Sequence, residues 1–178
     1  ADPAQYKEKF TRHIGKILSQ VDRGTTLAGG LNKFAHAPDS RLVEINMEEF
    51  LDHVVALSRR LAQMKLVTLE VQPATASIAV VNDPLALHMT IFSAVDGLLQ
   101  LAPAFKSISF RASQDGEHVH VDLTMEGRTE GFAGRLTHLR ETPVWAALLE
   151  TAGRVGAGVD LDEGLGRVRL SLPRAKVG

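Results

Sequence analysis

Four short constellations carry the side chains with chemical potential. His118, His120 and Asp122 alternate with Val119, Val121 and Leu123, so the three polar groups share one face of a strand. Imidazole and carboxylate are metal ligands by type, but same-face side chains on an extended strand rarely converge on one ion. A solvated sheet face is the simpler reading. Arg128, Arg135 and Arg140 fall in a stretch, 126–141, that reads as irregular; they are exposed loop charges there, with anion binding as the alternative. Gly164-Leu165-Gly166 has the look of a phosphate loop in isolation, yet it lies between two strand patterns and reads as a hairpin turn. Within 83–100, Ser93, Asp96 and Gly97 interrupt an otherwise apolar run. Asp96 has an oxygen to offer a cation, but on a helix it points about 100° away from position 97 and counts as a structural polar residue. Gly97 costs a helix interior about 0.5–1 kcal/mol relative to Ala and requires a reason.

The elements that hold these residues follow from patterning. Asp83 is suited to cap a helix and Pro84 to its first turn, where a missing N–H costs nothing. Leu85, Leu87, Met89, Ile91, Phe92, Ala94, Val95, Leu98 and Leu99 then make the helix apolar on almost every side, as in a buried core element. Upstream, 5–36 reads as one long helix, with Phe10, Ile14, Ile17, Val21, Gly24, Ala28, Leu31 and Ala35 spaced four and three apart in a heptad seam. Its glycines make it poor alone, which points to a partner helix through dimerisation or a neighbour upstream. From position 41 the pattern alternates. A strand at 42–45 leads into a helix opened by Asn46 and Glu49 and running to about Lys65, with Phe50, Leu51, Val54, Leu57, Leu61 and Met64 on one face. Strands follow at 67–71 and 77–81, then the helix at 83–100. An antiparallel pair at 106–112 and 118–125 turns at Asp115-Gly116, a helix runs from Thr142-Pro143 to about Val155, and a hairpin closes at 159–162 and 167–172.

The sum is an α/β (α+β) chain: a long coiled-coil-like helix over 1–38, then a two-layer sandwich over 39–178, a mixed sheet with three helices on one face. The 178 residues include 44% hydrophobic and 23% charged residues, enough for a real core, and the net charge of −1 favours neither nucleic acid nor anionic lipid. The absence of cysteine excludes disulfides, thiolate metal sites and cysteine nucleophiles. No apolar run approaches the ~20 residues of a membrane span, so direct membrane contact is not expected and a cytoplasmic setting is, whether as a free protein or as the cytosolic part of a tethered one.

This order of elements behind a heptad-bearing helix resembles the C-terminal part of bacterial sensor histidine kinases, where a dimerising hairpin with the phospho-acceptor precedes an ATP-binding domain of the Bergerat (GHKL) type. The likeness runs through 23–35, the end of the second hairpin helix; 42–71, the linker, first strand, first helix and second strand; Asp83-Pro84 with Leu87, the lead-in to the family's Asn-containing helix; and 145–172, its last helix and closing strands. The resemblance implies that Ser93 and Gly97 stand where the family has an Asn-x-x-x-Asn pair, one Asn holding the Mg²⁺ of ATP. Met125-Glu126-Gly127-Arg128-Thr129 stands where it has Asp-x-Gly-x-Gly, whose carboxylate accepts from adenine. The Gly-rich phosphate cradle before the last helix is replaced by Arg140-Glu141-Thr142-Pro143, with Gly131 and Gly134 a remnant.

Without hard oxygens for magnesium or an acceptor for adenine, the expectation is a pseudokinase that binds neither ATP nor Mg²⁺ and has no catalytic residue of its own. The degenerate cleft would comprise Ser93, Gly97, Met125 and Gly127. His13 lacks the acidic neighbour and following Pro of the family's acceptor, so the acceptor is placed upstream of Ala1, with His13 as the alternative. The implied role is regulatory, scaffolding or phosphotransfer within a two-component system. The implied partners are a second copy through the N-terminal helix and a response regulator receiver domain. The other readings are a divergent but active histidine kinase that uses ATP and Mg²⁺, and a dimeric module that binds a ligand or partner in the former cleft.

Overall fold

The computed structural model describes residues 42–74, 76–130 and 132–174, together with Ile14. The chain divides into two compact units, Ala1–Pro38 and Asp39–Gly178. Apart from Ile14, the heptad seam lies outside the described residues, as does His13. Apart from Ile14, which is helical, every described residue belongs to the second unit.

Seven strands and four helices succeed one another: β1 (Val43–Asn46), α1 (Met47–Met64), β2 (Thr68–Val71), β3 (Ala79–Asn82), α2 (Pro84–Leu99), β4 (Ser107–Gln114), β5 (His118–Glu126), α3 (Phe132–Leu139), α4 (Pro143–Arg154), β6 (Gly158–Asp162) and β7 (Arg167–Pro173). The caps form where the sequence places them. The Asn46 side chain accepts from the N–H groups of Glu48 and Glu49, that of Asp83 from Leu85 and Ala86, and the Thr142 hydroxyl from Trp145, with Pro84 and Pro143 in the first turns.

Five strands make a mixed sheet in the order β2-β4-β5-β7-β6, with β2 parallel to β4 and the other pairs antiparallel. The two-residue period sorts its faces. Ile108, Phe110, Val119, Val121, Leu123, Met125, Leu161, Val168, Leu170 and Leu172 are all buried on one side, while Arg111, His118, His120 and Arg169 alternate on the other. Over the apolar side, α1 lies against β2 and β4 and beside α2, and α2 packs along α4.

Three expectations need correction. β3 does not join the main sheet: it pairs with β1 in a separate antiparallel ribbon that leads into α1 and α2. The stretch 126–141 is not wholly irregular, because α3 occupies Phe132–Leu139 and raises the sandwich's helices from three to four. Phe132, Leu136 and Leu139, spaced four and three apart, are its buried stripe. The buried helix faces also differ from expectation. In α1 the buried arc runs through Met47, Phe50, Leu51, Val54, Val55, Ser58 and Ala62, turned by about 40° from the expected face, which leaves Leu57 and Met64 exposed. In α2, Leu85 and Met89 face solvent on one flank.

The end of α1 stores strain. Leu66 takes φ of 59°, its N–H donating to the Gln63 carbonyl at 3.1 Å while that of Val67 reaches Ala62 at 3.0 Å. This is the left-handed helix stop at which glycine is usual, yet the leucine side chain is 88% exposed and packs on little. Replacing Leu66 with Gly should raise stability by about 0.5–1 kcal/mol, the left-handed penalty removed less the extra freedom of glycine in the unfolded chain. A urea midpoint measurement reads this directly.

His88 of α2 and Phe50 of α1 meet edge to face, with ring centroids 6.1 Å apart. Burial, with a smaller contribution from His53, holds His88 below the ordinary imidazole value of 6.5. The unfolded chain therefore binds this proton more tightly than the folded one. Stability is full above about pH 6.5 and falls as pH drops towards the folded-state value, levelling only below it. Denaturation midpoints across this range should fall less with acid in His88→Gln than in the wild type.

Candidate functional site

Of the positions singled out for a nucleotide cleft, Gly97 lies where α2, α3 and α4 meet, and what fills that junction is apolar; Met125 and Gly127 belong to the end of β5 and the turn after it. Gly97 is buried on α2 at its contact with α4. A β-carbon there would sit 3.1 Å from Val144 Cγ1 at the start of α4 and 3.7 Å from Leu139 Cδ1 at the end of α3. That is the reason for the glycine: two helices approach closely enough that even a methyl group would have to displace a branched side chain. Ser93, one turn earlier, is half-buried.

Met125, next to last in β5, is a core residue, 1% exposed, its N–H donating to Gly166 O at 2.9 Å. Gly127 follows in the left-handed region, φ 64°, where a β-carbon would meet the Lys106 side chain at 3.0 Å. It serves the turn out of the sheet, beside the hydrogen bond from Lys106 N to Glu126 O. Gly97, Met125 and Gly127 carry no side-chain oxygen, so among the four positions only Ser93 has a hard donor atom to offer.

The segment after β5 is held down. Thr129 N donates to Ala104 O at 2.8 Å, and Phe105 meets Phe132 edge to face with centroids 6.2 Å apart. Leu136 is fully buried and Leu139 is 2% exposed. Two of the three arginines considered as anion ligands clamp this segment to the β6–β7 hairpin: Arg128 donates to Gly164 O and Arg140 to Leu161 O, each at 3.0 Å. Arg128 also lies over the Phe132 ring, 5.8 Å from its centroid. Arg135 is exposed on α3, as is Gly134, while Gly131 lies outside the described residues. Gly164-Leu165-Gly166 forms the hairpin turn between β6 and β7, with Leu165 N donating to Asp162 at 2.9 Å. Asp96 is half-buried on α2.

On the sheet's polar face, His118, His120 and Asp122 part company. Asp122 is 8% exposed, under a two-pronged hydrogen bond from Arg169 at 2.7 Å to each oxygen, with Arg167 at 3.6 Å. That pair holds the Arg169 guanidinium above its ordinary value. His120 is engaged by Asp115 and Ser171, and His118 is exposed. The simple solvated face is thus corrected to a charge network at Asp122. Among the described residues no group of three or more histidines and carboxylates is placed to hold a metal ion. Sequence reasoning missed Asn82, buried at the end of β3, whose amide donates to Val155 O at 3.0 Å and whose oxygen accepts from Asp83 N at 2.8 Å, tying the start of α2 to the end of α4. An asparagine just before a helix cap was the available signal.

Among the described residues no helix is long and apolar enough to cross a membrane. No family model matches the sequence. No curated protein matches it either. Solved structures do. The ATP-binding domain of PrrB from Mycobacterium tuberculosis superposes with a TM-score of 0.60 at 18% identity, over 77% of this chain and all of that one. The histidine kinase AdeS of Acinetobacter baumannii gives 0.55 at 12% identity, over all of this chain and 87% of that one. The cytoplasmic segment of histidine kinase QseC gives 0.51 at 15%, over 88% and 95%. The chain is folded as the ATP-binding domain of a sensor histidine kinase, as the resemblance implied.

Proposed function

We propose that this chain is a kinase-fold module of two-component signalling that has given up nucleotide binding. It acts in the cytoplasm as a regulatory, scaffolding or phosphotransfer element toward a response regulator receiver domain. In this reading the segment 1–38 is the dimerising helix and 39–178 the degenerate ATP-binding domain, and the protein works as a homodimer. Its own cleft makes no phosphohistidine; it receives or relays the phosphoryl group through an acceptor supplied by the helical stem.

The observation that carries the reading is the packing at Gly97. Where the resemblance places an asparagine on Mg²⁺, two aliphatic carbons stand within 4 Å of the missing β-carbon. Magnesium demands oxygen ligands in near-octahedral geometry, and these residues do not fit it. Where adenine would find a carboxylate, the Met125 thioether is sealed in the core. The segment that would cover the nucleotide instead contributes Phe132, Leu136 and Leu139 to that core.

Calorimetric titration with ATP and Mg²⁺ tests the proposal. No saturable heat is expected at any ATP concentration up to millimolar, whereas micromolar binding would overturn it and favour a divergent active kinase. Phosphotransfer is read separately: the phosphorylated receiver domain of the cognate regulator should lose its label to the full-length chain, and retention of the label would leave only the scaffolding role.

A further inference from the structure

On the polar face of the sheet a row of residues in register crosses four strands: Ser113 of β4, His120 of β5, Ser171 of β7 and Gly158 of β6. His120 Nδ1 lies 3.0 Å from Ser171 Oγ, and its Nε2 lies 2.8 Å from Asp115 Oδ2. Asp115 sits in the β4–β5 turn, where its other oxygen accepts from the N–H groups of Glu117 at 3.2 Å and His118 at 2.9 Å. Its carboxyl is drawn down to about 2, first by the His120 hydrogen bond and then by those two backbone donors, so it is ionised at neutral pH.

A carboxylate only accepts, so His120 Nε2 carries a ring proton, and in the neutral ring Nδ1 then presents its lone pair. The Ser171 hydroxyl is then the donor. The ring is held: its side chain is 15% exposed and His118 stacks on it, with centroids 6.1 Å apart at 25°.

We propose that Ser171, His120 and Asp115 form a nucleophilic relay that turns over small activated acyl esters at Ser171 Oγ. The order nucleophile, base, carboxylate is the one that activates a serine. The serine meets Nδ1 rather than Nε2, which leaves the order of proton transfer intact. Access comes from the β6 side, because the residue opposite Ser171 is Gly158, whose missing β-carbon would lie 4.0 Å from Ser171 Cβ, and β6 is a sheet edge. Arg169 lies two residues along the same face of β7, about 7 Å away. Asp122 holds its guanidinium in a two-pronged pair, so it is a neighbour of the site and not a donor to the oxyanion.

The steps balance as ester plus water giving acid plus phenol. Ser171 Oγ bonds to the carbonyl carbon as its proton passes to His120 Nδ1. The carbon–oxygen bond to the aryl group breaks, and the imidazolium proton goes to the phenolate. Water then loses a proton to Nδ1, attacks the acyl-serine, and Oγ recovers the proton as the carboxylic acid departs.

The test uses the full chain with p-nitrophenyl acetate, following phenolate release and locating the acetyl group by peptide mass mapping. Acetyl-Ser171 is expected, with both label and turnover lost in Ser171→Ala. His120→Gln should slow acetylation about 10²-fold or more, the scale of general-base catalysis. Asp115 acts through His120 as a positioning residue: Asp115→Asn should slow the reaction, Asp115→Glu should restore part of it, and ¹⁵N shifts of the His120 ring should report loss of the Nε2–H tautomer in Asp115→Asn alone. Circular dichroism checks that each variant is folded. Acetylation confined to other side chains, or a rate indifferent to Ser171→Ala, would overturn the relay.

Discussion

Gly97→Asn is expected to cost about 2–3 kcal/mol of folding stability and to restore no nucleotide binding. The first atom of the new side chain already meets Val144 Cγ1 at 3.1 Å, and Leu139 Cδ1 waits at 3.7 Å. The amide beyond it would enter an apolar junction. Overpacking a core typically costs about 1–3 kcal/mol, and an amide buried without partners adds to that. The helix gains something back, since Asn is a better helix former than Gly by a few tenths of a kcal/mol. Crowding wins on magnitude. Urea denaturation measures the loss, and a double-mutant cycle apportions it: Val144→Ala should relieve much of the penalty in the Gly97→Asn background while costing stability alone. Additivity of the two changes would mean that the close approach of α2 and α4 is not what Gly97 is for.

Much of this architecture was legible because local chemistry and tertiary packing agree. Asn46, Asp83 and Thr142 cap the helices that their types and positions announce, and the alternation in 118–125 sorts β5 into its two faces. Legibility failed where a residue's role depends on a partner distant in sequence. β3 has a strand's pattern, but nothing local says that it pairs with β1 and not with the main sheet. Asp122 reads as a solvated carboxylate until Arg169, on a strand far along the chain, closes over it. Arg128 and Arg140 look free until the β6–β7 hairpin brings carbonyls to them. The site followed the same rule. The residue types at Ser93, Gly97, Met125 and Gly127 were readable, but that Val144 and Leu139 occupy the space above Gly97 was not, since the contact joins three helices. α3 is the instructive miss. Its stripe of Phe132, Leu136 and Leu139 has proper helical spacing, but neighbouring glycines and a lack of a clear capping residue masked it.

α3 also carries the second large prediction. Leu136→Ala should destabilise the protein by about 2–4 kcal/mol, because Leu136 is fully buried and belongs to the contiguous core under the sheet. The cost falls within the range for leucine truncation, whose spread reflects how far a site can collapse onto the void. Here collapse is resisted from both sides. Phe132 is fixed against Phe105 and under Arg128, and Leu139 against the α2–α4 junction. The loss should also be local in its first effects. α3 has eight residues, too few to hold a helix without tertiary packing. Hydrogen exchange should therefore rise across Phe132–Leu139 at denaturant concentrations where β4 and β5 remain protected. If α3 were a loosely attached lid, with its apolar side chains exchanging between core and solvent, the truncation would cost less than about 1 kcal/mol and exchange there would be fast already in the wild type. Deep burial of Leu136 with two arginine clamps on the hairpin argues for the first outcome, and the same measurement decides whether the segment beside Gly97 is a fixed wall or a movable cover.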